Sequence, residues 1–226
     1  MPHTLLVPLA GPMQAWGSRS RFDDRDTHAE PTKSGVLGLV CAALGRPRTE
    51  SLHDLNALRF GVRADAPGRA ATDYQTAQKV IKASGAGMTT VTSQRHFLAD
   101  ARFLCGLEGD DLSLLTAIEA ALRDPVWPLS LGRRSFPLTL PPFLQDGSLR
   151  RDRTLEEALK QEPCLAHAPR WQTPPFEGLR LVLETPMGAT VQQDAPEDFA
   201  ARRFGLRRLH VTTTPRPDQE NPHVLV

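Results

Sequence analysis

Between Ala10 and Gly45 the chain reads AGPMQAWGSRSRFDDRDTHAEPTKSGVLGLVCAALG, a strand end, an arginine-rich loop and a helix start in direct succession. The preceding segment alternates, with Leu5, Val7 and Leu9 set against Thr4, Leu6 and Pro8, which predicts a strand. Gly11-Pro12 ends it, so the loop that follows leaves a strand terminus. Thr32 is a good N-cap, and apolar residues then recur at Val36, Leu39, Val40, Ala43 and Leu44 until Gly45 stops the helix. One face of that helix must be buried, which ties strand, loop and helix into a single unit.

The first turn of this helix lacks the usual reciprocal cap. Gly35 stands at the third helical position, where a capping box would place Glu or Gln. Exposed amides, the positive end of the helix dipole, the Lys33 ammonium and the Ser34 hydroxyl together suit a phosphate group. The same residues equally suit a simply capped helix with a solvated lysine. Lys33-Ser34 is not the end of a P-loop, since that motif needs glycine directly before the lysine and another five residues earlier, where Thr32 and His28 stand.

With 226 residues the chain is long enough for one large domain or two small ones, and its net charge of only +1 excludes a uniformly basic RNA coat. A nucleic-acid site must then come from local segregation of arginine. Such clusters occur at Arg19, Arg21 and Arg25, at Arg133-Arg134, at Arg150-Arg151 and Arg153, at Arg202-Arg203 and at Arg207-Arg208. Cys41, Cys105 and Cys164 lie far apart, without C-x-x-C spacing, and read as buried cytosolic thiols. The start MPHTLLVPLAG has no basic n-region and no run approaches the roughly 18 apolar residues of a membrane span, so a cytoplasmic protein without membrane contact is expected.

Further along, Leu52, Leu55 and Leu58 fall at helical spacing and Arg59 to Ala64 alternates like a strand. From Ala66 to Ser93 small and polar residues dominate, around Lys79, Lys82 and Gly85-x-Gly87; this insertion, which holds the only tyrosine, Tyr74, reads as a protruding hairpin or loop. Arg95 to Leu107 looks strand-like, and Asp111 caps a helix carrying Leu112, Leu115, Ile118, Ala121 and Leu122. The order β-α-β-(insertion)-β-α needs one more strand to complete a ferredoxin-like unit, an antiparallel sheet backed by helices as in RNA-recognition modules. Its two aromatic RNP strings are absent. The α+β expectation is a single domain over 1–226, with a protruding insertion at 66–93 and an extension over 138–226 packed on the same body. In that extension Thr154-x-x-Glu157 predicts a capping box, Leu179, Leu181 and Leu183 a strand, and the proline-rich end beyond Thr214 a loosely held tail.

Catalytic signatures are few. The seven histidines show no H-x-x-x-H pair, and the acidic residues Asp23, Asp24, Asp26 and Glu30 in an arginine-rich loop more often balance charge than hold a cation. A metal-free ribonuclease needs only a base, an acid and a cation, which His96, Tyr74 and Lys79 could supply if the fold brought them together.

Five stretches carry a family resemblance: LAGPMQAWGSRSRF, RDTHAEPTKSGVLGLV followed by AALG, DYQTAQ, SQRHFLADARFLCGLEG and PLSLGRRSFP. In that order they resemble the CRISPR-associated Cas-five family, most closely its type I-E Cascade branch. The match runs from Leu5 to Pro137, with weaker echoes to Arg208. The resemblance implies a modified RNA-recognition fold whose thumb-like hairpin fits 66–93, placed at the 5′ end of the CRISPR RNA. Family members hold the 5′ handle, touch the backbone subunit CasC and the large subunit CasA, and meet target DNA through the complex. Type I-E members are not thought to cleave, whereas type I-C relatives are metal-independent repeat endoribonucleases; the chain resembles the former more. No cofactor is implied. On this basis the expected RNA contacts are Gln14 to a base edge, Trp16 as a stacking ring, Arg19 and Arg21 on phosphates, Lys33 and Ser34 at the helix start, Lys79 and Lys82 on the insertion, and Arg133 and Arg134 in the glycine-led turn.

Overall fold

In the computed structural model, which describes residues 1–17, 23–165 and 178–217, strand β1 (His3–Ala10) is buried from Thr4 onward because both of its faces are covered. Leu5, Val7 and Leu9 join Val36, Leu37 and Val40 of α1 (Lys33–Leu44) and Leu115, Ile118 and Leu122 of α3 (Leu112–Arg123) in one core. Leu6 joins a second core on the opposite face with Leu155, Ala158 and Leu159 of α4 (Leu155–Gln161). Alternation in β1 thus separates two buried faces rather than a buried and a wet one. Between α1 and α3 in the chain, the short α2 (His53–Ala57) buries Leu55 and leads into the next strand of the sheet.

That sheet has seven strands, all paired antiparallel, in the order β10-β11-β9-β4-β7-β1-β8. They are β4 (Arg59–Ala66), β7 (Arg102–Gly109), β8 (Leu149–Arg150), β9 (Gly178–Glu184), β10 (Thr190–Asp198) and β11 (Arg203–Pro215). Gly61 of β4 and Gly106 of β7 stand directly opposite each other. A Cβ on Gly106 would meet Leu155 Cδ1 at 2.5 Å, so this glycine pair makes the dent in which α4 sits.

The helix signals behave as their chemistry dictates. Thr32 accepts from the Gly35 amide and Gly45 closes α1 in the left-handed region. Asp111 accepts from the amides of Ser113 and Leu114, and Thr154 with Glu157 forms the full capping box. The far end of α4 is held by a buried ion pair, in which Arg63 binds Asp65 and donates to the carbonyls of Leu159, Glu162 and Pro163.

The segment Ala66 to Ser93 lies within a long antiparallel hairpin, β5 (Arg69–Ile81) and β6 (Met88–Ala99), in register from Arg69↔Ala99 to Ile81↔Met88 with a bulge between Ala77 and Val80. At the hairpin's root the other edge of β6 takes two short strands, β2 (Met13–Gln14) antiparallel and β3 (Asp24–Arg25) parallel.

Two expectations need correction here. Arg95 to Leu107 is not one strand: the chain turns at Asp100, which has φ 57°, so residues to Ala99 belong to the hairpin and those from Arg102 to the main sheet. Asp adopts this left-handed conformation more readily than most residues, and neither Gly nor Pro announces the turn in β6–β7. The β10–β11 pair also went unanticipated, because its most buried positions include a charged couple, Asp194 and Arg207, rather than an apolar stripe. The last residues of the proline-rich tail lie outside the described residues.

Candidate nucleic-acid interface

At the root of the hairpin, four guanidinium-bearing side chains line one open pocket of about 460 Å³: Arg25, Arg95, Arg133 and Arg134, with Ser135 beside them. Three pieces of local structure bring them together. Arg25 and Arg95 are direct neighbours across the parallel β3–β6 pair. Arg133 and Arg134 come from the loop after α3, whose backbone is pinned by Leu131 N donating to Phe136 O at 2.9 Å and by Ala15 N donating to Leu131 O at 3.1 Å. Gly132 is required at that junction: its φ is +87°, and a Cβ there would stand 1.8 Å from the Ala15 carbonyl oxygen.

Arg133 is bound on its inner side. Its Nη2 donates to the carbonyls of Arg25 at 3.1 Å and His96 at 2.9 Å, and its guanidinium lies 5.3 Å from the centre of the Phe136 ring. Burial, then the like charges of Arg95 and Arg25, lower its pKa below the usual arginine value, while Asp26 and Asp73 offset this in part. Arg95 bonds Ser93 Oγ through Nε and faces Asp73 across the hairpin. Converging guanidiniums raise one another's free energy, and an anion entering the pocket relieves that repulsion.

Of the residues expected from sequence, Arg133 and Arg134 line this pocket. Arg19 and Arg21 lie outside the described residues. Gln14, Trp16 and Lys33 are corrected, for their side chains have structural partners and are at most 1% exposed. Gln14 donates to Ala101 O at 2.7 Å and accepts from the Trp16 indole at 3.1 Å, so neither offers an edge or a face to a base. Trp16 packs on the start of α1, where a Cβ on Gly35 would meet its ring at 2.8 Å. The absent capping-box residue is thus explained by packing.

The helix start at Lys33 does attract an anion, but an internal one. Asp194 of β10 accepts from the Lys33 amide at 2.8 Å and is itself held by Arg207 and Gln192. The Lys33 ammonium points inward to both oxygens of Glu184, at 3.1 and 3.2 Å, and to the Asn56 carbonyl at 2.9 Å. Burial depresses its pKa, against the opposing pull of Glu184. The Ser34 hydroxyl turns to Thr32 Oγ1 at 3.4 Å, in the same filled corner.

Lys79 and Lys82 are exposed on the outer arm of the hairpin, Lys79 at the bulge with φ 56° and Lys82 in the tip turn. Lys79 lies six residues beyond Asp73, the cross-strand partner of Arg95, so at ~3.3 Å per residue it stands about 20 Å from the arginine pocket, with Lys82 farther out. The tip presents Ile81 and Met88, 68% and 64% exposed, and Tyr74 is 63% exposed midway.

His96, Tyr74 and Lys79 do not converge. The His96 ring lies between Thr72 Oγ1, at 2.8 Å, and Asp24 Oδ1, at 3.3 Å, while Lys79 is well up the hairpin. Among the described residues no group of three or more His, Cys, Asp or Glu side chains is arranged to hold a metal ion. Glu30 of the acidic loop pairs with Arg180. Several of the other arginines pair with carboxylates of the same chain: Arg150 with Glu162 and Arg207 with Asp194 in sheltered positions, and Arg203 with Asp198 at the surface.

Arg95 is the site residue that sequence reasoning passed over, although it lies inside the motif SQRHFLAD; Arg25 was seen only as one member of a cluster. A strand pairing of two residues each, β3 on β6, joins them, and local sequence carries no sign of it.

Fold and pocket together define a mixed α+β protein whose arginines are gathered at the root of a projecting hairpin. The chain belongs to the family described as CRISPR-associated protein (Cas_Cas5), whose family model matches residues 4–210. Among curated proteins it is similar to the CRISPR system Cascade subunit CasD of Escherichia coli (strain K12), 36% identical over 156 residues that make up 62% of this chain and 69% of that relative. A solved Cas protein crystal structure superposes with a TM-score of 0.78 at 42% identity, covering 96% of this chain and 100% of the other. A chain of a CRISPR RNA-guided surveillance complex gives a TM-score of 0.77 at 31% identity, covering 95% and 91%.

Proposed function

We propose that this chain is a non-catalytic RNA-binding subunit of a type I-E Cascade surveillance complex, holding the 5′ handle of the CRISPR RNA. The observation that carries the proposal is the convergence of Arg25, Arg95, Arg133 and Arg134 in one open pocket, in a chain similar to CasD. Phosphate is the anion such a guanidinium cluster recognises best. In this reading β1, α1, β4, β7, α3 and β8 form a ferredoxin-like unit whose strands run in the order β4-β7-β1-β8. The β5–β6 hairpin is its thumb, and the chain from 138 onward extends the same single domain. CasC-type backbone and CasA-type large subunits are the protein neighbours, target DNA is met through the complex, and the setting is cytoplasmic. Among the described residues no helix is long and apolar enough to cross a membrane.

The test is incubation of the purified chain with single-stranded repeat RNA in EDTA. Binding without cleavage, weakened by Arg95→Ala with Arg134→Ala, is the expected result. Cleavage that persists in EDTA and vanishes with His96→Ala would replace this proposal with a metal-independent endoribonuclease.

A further inference from the structure

The four pocket arginines are not equivalent. Arg25 and Arg134 are exposed and Arg95 is half-buried, whereas Arg133 spends one nitrogen on two backbone carbonyls that belong to different strands. One of those carbonyls is that of Arg25 in β3, and the other is that of His96 in β6. The β3–β6 pairing they flank is only two residues long, with Gln94 N donating to Asp23 O at 2.8 Å as an added tie. A parallel pair this short has little stability of its own. Arg133 also stacks on Phe136, whose amide donates back to the Arg133 carbonyl at 2.9 Å, so the clasp is anchored in the core. We infer that Arg133 is a positioning residue, which holds the β3 segment on the hairpin root, and that Arg25, Arg95 and Arg134 make the phosphate contacts. This rests on the RNA-binding reading of the pocket and divides its labour: one cation builds the wall, three face the backbone of the nucleic acid.

Salt dependence separates the two roles. Each phosphate contact released with its counterions contributes about 0.7 to the log–log slope of affinity against salt for a single strand. Arg134→Gln loses a ligand, so its slope with fluorescein-labelled single-stranded repeat RNA should fall by about 0.7. Arg133→Gln keeps an amide donor for the carbonyls while losing the charge; its slope should match that of the unaltered protein, with affinity nearer to it than that of Arg133→Ala. In the RNA-free protein, the Gln94 amide should exchange faster in Arg133→Ala than in the unaltered chain or in Arg134→Gln. A fall in slope for Arg133→Gln as large as for Arg134→Gln would overturn the inference, as would unchanged Gln94 exchange in Arg133→Ala. If instead no variant at Arg25, Arg95, Arg133 or Arg134 alters affinity or slope, the pocket does not bind RNA and the functional reading itself fails. Should Arg133→Ala not fold, the comparison of Arg133→Gln with Arg134→Gln still decides.

Discussion

Replacing Asp194 by alanine tests the internal anion at the start of α1. Its carboxylate is inaccessible, accepts from the Lys33 amide, and is gripped by Arg207, whose side chain is 5% exposed. The substitution removes a helix cap and strands a buried guanidinium that otherwise lies 5.2 Å from the Phe60 ring. Breaking a buried pair by deleting one partner costs about 3–5 kcal/mol, the loss of the cap being part of the same event. In a chain of this size each kcal/mol shifts Tm by about 2–4 °C, so Asp194→Ala should melt about 6–20 °C lower. Arg207→Met tested alone and combined with Asp194→Ala completes a double-mutant cycle. Because the second change removes the stranded charge, the double variant should be less destabilised than the sum by about 1–3 kcal/mol. Urea unfolding followed by circular dichroism gives the free energies. A Tm for Asp194→Ala within about 2 °C of the parent, or strict additivity in the cycle, would refute the network as the device that seats α1 on the sheet.

Other perturbations follow from the same geometry. Lys33 has a folded pKa below its ordinary 10.5, so between those values the unfolded chain holds a proton the folded one has released, and stability should rise with pH there. Urea midpoints measured as pH is raised toward the ordinary lysine value should show this rise in the parent and not in Lys33→Met; parallel curves would contradict it. Gly106→Ala drives a methyl into Leu155 and should cost about 1–3 kcal/mol, whereas Gly38→Ala, with its nearest neighbour Phe199 Cζ at 3.9 Å, should stabilise α1 by about 0.5–1 kcal/mol; thermal melts that fail to separate the two would sink the packing account of α4. Replacing residues 78–90 with an Asn-Gly turn should leave Tm within about 2 °C, since that arm covers no core. The shortened chain should still bind repeat RNA and assemble poorly with a CasC-type subunit. Amides from Lys79 to Thr90 should exchange quickly in the isolated protein, and strong protection there would mean the arm is held by its own body.

Much of the scaffold was legible because it obeys local rules. Thr32, Asp111 and Thr154 each cap a helix through a side chain a few residues from the amide it serves, and Gly45 ends α1 for the same short-range reason. The strand character of β1, β4 and β9 lay in apolar residues whose burial does not depend on which neighbour covers them. Even the anion preference at Lys33 was readable, since unpaired amides and a dipole attract negative charge whatever its source.

What the sequence could not supply was the partner. Whether the anion at α1 is a bound phosphate or Asp194 depends on a strand 161 residues away along the chain, and long-range pairing leaves no periodic trace in either segment. Gln14, Trp16 and Lys33 carry side chains able to meet a nucleotide, yet the fold turns all three inward, where a hydrogen bond or ion pair offsets their desolvation. Conversely, Arg25 and Arg95 became a site only when β3 docked beside β6. Sequence by itself determined where the capped helices α1, α3 and α4 and the apolar strands β1, β4 and β9 form and where charge is available, because those depend on neighbours within a turn or two. The tertiary structure alone decided which charges pair inside and which four arginines converge around one open pocket, because that depends on distances set by chain segments far apart in sequence.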